Sequence, residues 1–277
     1  MIIDAHQHFW KPERNDYGWL TPGLEKLYRD FLPGDLQPLL DSCGVDQTIL
    51  VQAAPTEAET HFMLSLAEEN NFIAGVVGWT DFESPDVKSR IDALAKHQKL
   101  VGLRPMVQDI ADDDWLARPT LAPAFESMIE NRLAFDALLL PRHIEKLIPV
   151  LERHPDLAVV VDHAAKPTLK TGVTKKWFDD MAAVARHEQV HCKLSGLATE
   201  AREDWTAGDL APVVDHLLQC FGPDRLIWGS DWPVLTLAGS YGKWWKAAQE
   251  LTSSLSETDR SAIFGENAKR FYLTHRG

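Results

Sequence analysis

Two histidines stand two positions apart in the run Asp4-Ala5-His6-Gln7-His8, directly after a short apolar stretch. The apolar stretch predicts a buried β-strand, and alternate side chains of a strand point to the same face. We therefore expect both imidazoles to leave the strand on one side, at its carboxyl end. Two neutral ring nitrogens that converge in this way can bind one metal ion or polarise one substrate oxygen. Because His-x-His is a short pattern, two histidines without a shared task are the alternative at this point.

Two further groups that can do chemistry follow predicted strands later in the chain. His163 ends the run Val-Val-Val-Asp-His, and Asp231 ends the run Leu-Ile-Trp-Gly-Ser-Asp. A single histidine or aspartate in such a position is more often a hydrogen-bonded loop residue. Four such groups at the ends of three strands, however, form a pattern that chance seldom produces. We call His6, His8, His163 and Asp231 the strand-end quartet and take them as the candidate catalytic residues.

Eight apolar segments with the composition of strands alternate with helical segments, which predicts an α/β fold of the (β/α)8 type, the TIM barrel. The predicted strands cover residues 1–8, 47–53, 73–79, 100–107, 133–140, 157–163, 190–195 and 226–231. The predicted helices between them include residues 58–70, 85–97, 122–131, 141–154, 175–187 and 210–220. No linker rich in Pro, Gly or Ser divides the chain, so we expect a single domain over residues 1–277. Catalytic groups of such barrels lie at the carboxyl ends of the strands, where the quartet is predicted.

The charge balance and the cysteines argue against several classes of function. The chain has 28 basic and 41 acidic residues and a formal net charge of −13, which disfavours binding to nucleic acid or to an anionic membrane. It has no apolar run long enough for a transmembrane helix, and no basic segment followed by a signal-like apolar core. Cys43, Cys192 and Cys220 are odd in number and lack Cys-x-x-Cys spacing. They predict reduced thiols and a cytoplasmic protein.

Four motifs together resemble the amidohydrolase superfamily, and in particular its amidohydrolase-2 branch. They are Asp-Ala-His6-Gln-His8-Phe-Trp, Val-Asp-His163-Ala-Ala-Lys-Pro, Cys-Lys193-Leu-Ser-Gly and Gly-Ser-Asp231-Trp-Pro. The branch contains sugar-lactone hydrolases, such as L-fuconolactonases and L-rhamnonolactonases, and 2-pyrone-4,6-dicarboxylate lactonase. The resemblance extends over the whole chain. It implies that the strand-end quartet is the functional core of a hydrolase in carbohydrate catabolism.

The chain departs from the metal-binding pattern of that superfamily at two positions. Binuclear amidohydrolases have a bridging Lys or Glu at the end of strand four and a His on strand five, where this chain has Arg104 and Asp136. A two-metal centre is therefore not expected. A single divalent ion such as Zn²⁺ is the alternative, since three imidazoles and a carboxylate suit zinc. Its ligands would be His6, His8, His163 and Asp231. The similar lactonases are thought to work without a metal, so we expect that no cofactor is required.

Five residues near strand ends are candidates for substrate binding: Trp10, Trp79, Arg104, Lys193 and Trp232. Indole faces suit the C–H faces of a sugar ring, and each indole adds one hydrogen-bond donor. Tryptophans that only cap the barrel core are the alternative. A dicarboxylate substrate would need several arginines, so the single clear arginine at a strand end favours a neutral polyhydroxy lactone. Lys193 has its own alternative, which is an ion pair with Asp136 inside the barrel.

These observations favour a hydrolase that opens a small sugar lactone, an aldonolactone such as L-fuconolactone or L-rhamnonolactone. Asp231 would be the general base, and the three histidines of the quartet would act as electrophiles on the carbonyl group. Two alternatives stay open, a zinc-dependent decarboxylase of the same superfamily and a non-catalytic sugar-binding barrel. The expected partner is a small-molecule sugar lactone, with no nucleic acid and no membrane. A homo-oligomer is compatible with the sequence, and the segment 11–32 is expected to cover the mouth of the barrel.

Overall fold

Eight parallel strands form the sheet of the computed structural model, which describes residues 1–274. The strands are β1 (Ile3–Gln7), β2 (Gln47–Val51), β3 (Ile73–Gly78), β4 (Leu100–Leu103), β5 (Ala134–Ala137), β6 (Val159–Val161), β7 (Val190–Leu194) and β8 (Leu226–Trp228). Each strand pairs with the next one along the chain. The ring closes between the first and the last strand. There the backbone N–H of Asp231 donates to the carbonyl of His6, and the N–H of His8 donates to the carbonyl of Trp232, both at 2.7 Å. The fold is therefore the predicted (β/α)8 barrel.

Ten α-helices accompany the strands in the described part of the chain. They are α1 (Pro33–Cys43), α2 (Glu57–Glu69), α3 (Val87–Leu94), α4 (Ala122–Glu130), α5 (Ile144–Arg153), α6 (Lys175–Val184), α7 (Leu197–Glu200), α8 (Ala207–Phe221), α9 (Tyr241–Leu251) and α10 (Glu257–Ser261). Helix α2 begins where the Thr56 side chain accepts a hydrogen bond from the backbone of Glu59. In α5 the buried residues Ile144, Leu147 and Leu151 recur at helical spacing, so one face packs inward. All six predicted helices are present. Within residues 1–274 no helix has both the length and the apolar character that crossing a bilayer requires.

The strands begin within two residues of their predicted starts but end one to four residues earlier than predicted. The residues after β6 and β8 leave the strand conformation. His163, Ala164, Ala165 and Lys166 have φ angles between 51° and 55°, and Asp231 has a φ of 59°. This left-handed region is uncommon for residues other than glycine. His163 and Asp231 therefore lie in turns just beyond the strands, which corrects the prediction that they are the last strand residues.

A layer of apolar side chains fills the interior of the barrel. Ile3, Ile49, Val77 and Val160 contribute to it from four different strands. Stiff β-branched side chains of this kind are common inside such barrels. Tyr272, in the segment Lys269–Leu273, packs against the same layer. The interior is thus a packed core, and the space for a ligand lies beyond the carboxyl ends of the strands.

Candidate active site

The strand-end quartet converges on one carboxylate oxygen. The Oδ1 atom of Asp231 lies 3.4 Å from Nε2 of His8, 3.8 Å from Nε2 of His163 and 3.9 Å from Nε2 of His6. All four side chains are buried. The structure thus brings together, from three separate segments of the chain, the four residues that the sequence analysis selected.

The seam between β1 and β8 fixes the geometry of the quartet. Beneath it, the carboxylate of Asp4 accepts hydrogen bonds from the backbone N–H groups of His6, at 3.2 Å, and Ser230, at 2.8 Å. The hydroxyl of Tyr241 donates to the same carboxylate at 2.9 Å. Glycine is needed at position 229, because a Cβ on Gly229 would lie 2.7 Å from Cβ of His6. A side chain there would push the two strands apart and would displace the quartet with them.

A second close approach positions His163. Its Nδ1 lies 2.9 Å from the hydroxyl oxygen of Ser195. The next residue, Gly196, has a φ of 64°, and a Cβ there would lie 2.5 Å from Nδ1 of His163. Glycine therefore meets two requirements at this position, the left-handed backbone and the contact with the imidazole. Burial lowers the pKa of His163 to about 4, so its ring is uncharged at neutral pH.

His8 faces Asp231 with a hydrogen-bond acceptor. Nδ1 of His8 lies 2.7 Å from the carbonyl oxygen of Val51, so Nδ1 carries the proton and donates it. Burial lowers the pKa of His8, and the neutral ring leaves Nε2 without a proton. Burial alone would raise the pKa of Asp231, but its contacts with His163 and His8 hold that pKa below the usual value. Two acceptors 3.4 Å apart define a position for a group that brings protons, such as a water molecule.

His6, in contrast to His8, faces the site with a hydrogen-bond donor. Its Nδ1 lies 3.1 Å from the ammonium of Lys193, which has only donors, whereas the carboxylate of Asp162 is farther away at 3.4 Å. Nδ1 therefore accepts. Burial is the main cause, and the charge of Lys193 the second, that holds the pKa of His6 well below its usual value. The ring is therefore neutral and carries its proton on Nε2. The guanidinium of Arg104 also has only donors, and its Nη1 lies 3.4 Å from Nε2 of His6. With the proton on Nε2 these two groups do not bond to each other, so both N–H groups can donate to an oxygen of a substrate, beside the pair of acceptors.

A buried layer of charges supports the quartet from inside the barrel. Lys193 is fully buried and pairs with Asp136 at 2.5 Å and with Asp162 at 3.0 Å. Arg104 donates to the other oxygen of Asp162 at 3.2 Å, and the hydroxyl of Tyr272 donates to Asp136 at 2.8 Å. The structure therefore places Lys193 in the interior ion pair, which was the alternative, and Lys193 does not line the cavity beside the quartet. Sequence analysis did not select Asp162, although it directly precedes His163 in the quoted motif.

A cavity of about 200 Å³, which we call the catalytic cavity, lies beside the quartet. Four residues selected from the sequence contribute to its wall, namely His8, Arg104, His163 and Asp231, whereas the fully buried His6 does not. Nine that were not selected also line it: Trp19, Ala53, Met106, Gln108, Leu138, Lys166, Thr199, Glu200 and Val234. Apart from Thr199 and Glu200, which end the four-residue helix α7, they lie in loops or short turns, where periodicity gives no signal. The one available indication was the predicted position of segment 11–32 over the barrel mouth, and Trp19 belongs to that segment.

The chain matches the amidohydrolase family model Amidohydro_2 from residue 3 to residue 273. It belongs to the amidohydrolase-2 family. The chain is 45% identical to an L-fucono-1,5-lactonase of Burkholderia ambifaria, over 99% of this chain and 96% of the relative. It is 37% identical to an L-fucono-1,5-lactonase of Burkholderia multivorans, over 98% of this chain and 95% of the relative. A solved Burkholderia multivorans amidohydrolase with bound zinc has a TM-score of 0.93 at 37% identity, covering 98% and 99% of the two chains. The family predicted from the four motifs is confirmed.

Three groups of this amidohydrolase are close enough to hold one metal ion. One ligand atom each from His6, His163 and Asp231 lies within 4.8 Å of the other two, and two nitrogens with a carboxylate oxygen suit zinc. His8 does not belong to this group, which reduces the predicted four ligands to three among the described residues. An ion on Nε2 of His6 would place the proton on Nδ1, which lies 3.4 Å from the carboxylate of Asp162, the kind of acceptor that metal-bound histidines usually have. The ammonium of Lys193 lies nearer to Nδ1, at 3.1 Å, and opposes this tautomer.

The three tryptophans predicted to bind substrate lie in different environments of the amidohydrolase barrel. Trp10 is fully buried, and its Nε1 donates to two backbone carbonyls of segment 11–32. Trp232 is 3% exposed and packs edge-on against Phe9 and Phe31. Neither lines the catalytic cavity, and both lie in the core environment that was the alternative interpretation of these tryptophans. Trp79 lines a neighbouring cavity instead.

Proposed function

We propose that this amidohydrolase hydrolyses a small neutral sugar lactone, and that L-fuconolactone is its substrate. The main support for this proposal is that hydrogen-bond acceptors and donors lie side by side in the site. The acceptors of His8 and Asp231 lie beside the donors of His6 and Arg104, and ester hydrolysis needs acceptors to activate water and donors to stabilise an oxyanion. The names of the two relatives at 45% and 37% identity support a sugar lactone as the substrate class.

In the proposed reaction, a water molecule binds between Nε2 of His8 and the carboxylate of Asp231 and attacks the lactone carbonyl carbon. Asp231 takes the proton that the water loses. The guanidinium of Arg104 and the Nε2–H of His6 stabilise the negative charge on the carbonyl oxygen. The bond between the carbonyl carbon and the ring oxygen then breaks. Asp231 returns its proton to the alkoxide, so one lactone and one water give one hydroxy acid and the enzyme regains its starting state.

We propose that this reaction requires no metal. The ammonium of Lys193 lies 3.1 Å from one ring nitrogen of His6, and the guanidinium of Arg104 lies 3.4 Å from the other. The carboxylates of Asp162 and Asp231 lie 3.4 and 3.9 Å from the same ring, but the nearer charge of Lys193 outweighs that of Asp162 and opposes a further positive charge there. Where an ion does bind, His6, His163 and Asp231 would hold it, and it would polarise the lactone carbonyl. The zinc in the related Burkholderia multivorans structure is the reason to test this point directly.

A panel of lactones tests the function. Each hydrolysis releases a proton from the new acid, so a pH indicator follows turnover on protein of measured metal content. We expect hydrolysis of L-fuconolactone and of related neutral aldonolactones. The decarboxylase alternative would instead depend on stoichiometric metal, and a non-catalytic barrel would bind sugars without turnover. If metal-free and zinc-loaded protein both fail to hydrolyse every aldonolactone, the proposal is wrong.

The cellular setting is part of the same proposal. The three cysteines are free, and two of them are partly exposed, which suits a reducing compartment such as the cytoplasm. The small-molecule lactone is the one partner that the proposal requires, and a homo-oligomer stays compatible with it.

A further inference from the structure

A second cavity, of about 490 Å³, lies next to the catalytic cavity. Its wall includes Trp19, Trp79, Phe82, Met106 and Trp115, and we call it the aromatic cavity. Trp19 and Met106 line the catalytic cavity as well, so the two spaces adjoin. The volume falls within the ~300–1,000 Å³ that small-molecule sites usually have. A monosaccharide lactone that reacts at the quartet would leave this space unused.

The walls of the aromatic cavity suit a ring that carries hydroxyl groups. Indole and phenyl faces pack well on the C–H faces of a sugar ring. Trp115 is 3% exposed, and its Nε1 is buried without a hydrogen-bond partner. Because that atom is buried, an occupant of the cavity would contact the indole ring and not its N–H group. The cavity therefore offers an aromatic platform, and hydrogen bonds to an occupant would come from the acidic residues of its wall.

The charged groups of the aromatic cavity are all acidic. Asp81, Glu83 and Asp109 line it, and no lysine, arginine or histidine among the described residues does. Two of these carboxylates are held in place, since Asp81 accepts from the backbone N–H of Glu83 at 2.9 Å and Glu83 pairs with Arg118 at 2.7 Å. Carboxylates accept hydrogen bonds from hydroxyl groups and repel anions. These acidic groups favour a neutral ring over a uronate, a sulfate or a phosphate ester.

We propose that the aromatic cavity is a second subsite, which binds a neutral glycosyl group attached to the lactone at the quartet. This inference rests on the proposed lactonase function and names a wider substrate class for it, the glycosylated aldonolactones. The reaction itself is unchanged, because the bond that breaks is still the lactone ester. The glycosyl group contributes binding through Trp79, Trp115 and the acidic residues, away from the reacting atoms.

The test compares L-fuconolactone with its mono-O-glucosyl derivatives, one for each free hydroxyl, by proton release. We expect at least one derivative to have a kcat/KM about tenfold above that of the parent lactone, a modest effect for stacking in a pocket. Trp115→Ala removes an aromatic face of the aromatic cavity and touches no residue of the quartet, so it should remove most of this gain and leave the parent kcat/KM unchanged. Trp245→Ala is the matched control. Its indole packs on Trp228 and Phe264, outside both cavities, and it should preserve the gain.

The subsite is refuted if no glucosyl derivative is a better substrate than the parent, or if the gain survives Trp115→Ala. A charge comparison decides the matter if that variant does not fold. A glucuronosyl derivative should be a poorer substrate of the wild type than its glucosyl counterpart, and Asp109→Lys, at an exposed residue, should narrow the difference; equal rates in the wild type would overturn the proposal.

Failure of the lactonase function is a separate result. If no lactone of the series is hydrolysed, the proposed function is wrong, and calorimetric titration of the same compounds still decides about the subsite. Tighter binding of a glucosyl derivative than of the parent, weakened by Trp115→Ala, supports it. Equal or weaker binding of every derivative overturns it.

Discussion

Replacing Asp231 with asparagine removes the proposed base and changes little else. Asp231 has a φ of 59°, and asparagine tolerates this left-handed region better than most residues. The backbone hydrogen bond from residue 231 to the carbonyl of His6 does not involve the side chain and is kept. The seam between β1 and β8 should therefore stay closed, so the substitution tests the chemistry and not the fold.

The expected size of the effect follows from the contacts of the carboxylate. Its Oδ1 is the atom on which His8, His163 and His6 converge, at 3.4, 3.8 and 3.9 Å. An amide in this place cannot take a proton from water, so the whole contribution of the general base is lost, typically about 10²- to 10⁴-fold. A 10²-fold loss corresponds to about 2.7 kcal/mol of transition-state stabilisation. We expect kcat to fall by at least about 10²-fold, on the same scale.

Proton release from L-fuconolactone measures the effect, and near-UV circular dichroism checks that the variant is folded. Asp179→Asn is the control, because Asp179 is exposed on α6, where it pairs with Lys175, and this variant should keep full activity. Asp231→Ala should lose about 1–2 kcal/mol of stability in addition, since alanine is strained in the left-handed region. A folded Asp231→Asn variant that retains most of the wild-type kcat would refute the assignment of Asp231 as the base.

Four further predictions address the site and its support. Chelator treatment should leave most lactonase activity intact and added zinc should inhibit or do nothing, because two cations already flank His6; activity that returns in proportion to added zinc would contradict this. L-fuconolactone should have a higher kcat/KM than 2-pyrone-4,6-dicarboxylate, since a single arginine among the described residues lines the catalytic cavity, and the reverse order would disprove the neutral preference. Lys193→Met should cost about 3–5 kcal/mol in denaturant unfolding, because it leaves buried carboxylates without their cation, whereas the exposed Lys176→Met should cost little; equal stability of the two variants would exclude the ion pair as a support. Burial raises the pKa of Glu59 from 4.5 to about 8, so the free energy of unfolding of the wild type should fall as pH rises through this range, by up to about 1.4 kcal/mol per pH unit. Glu59→Gln should not show this fall. If the two proteins had the same pH dependence of unfolding, the prediction for Glu59 would be wrong.

The barrel and its quartet could be predicted because both depend on local signals. Strands buried on both faces produce continuous apolar runs, and Val159–Val161 is one example. In a parallel barrel the residues that follow each strand all reach the same face. Selecting polar residues after strands therefore found His163 and Asp231 without any knowledge of their turns. The left-handed φ angles of these turns were not predictable, since the residues around them are not glycines.

The misassigned residues depend on contacts between distant parts of the chain. Trp10 follows a strand just as Trp79 does, but segment 11–32 folds back over it and accepts both hydrogen bonds from its indole. Trp19 comes from that segment, whose path no periodicity describes. Lys193 and Asp162 alternate along their strands like core residues, and only the closed ring shows that they meet inside the barrel. Side-chain direction within a barrel is thus readable from the sequence, but depth along the barrel axis is not.

The seam between β1 and β8 joins residues that stand 226 positions apart, Asp4 and Ser230, and the quartet lies across it. His6 and His8 are synthesised before Asp231, with all the strands from β2 to β8 between them. A nascent chain that lacks β8 has neither the proposed base nor a closed ring, so we expect no turnover before β8 is made. Likewise, a fragment with β1–β4 and a fragment with β5–β8 would each be inert. Reassembly of the two fragments should restore turnover, so the measured activity would report closure of the ring.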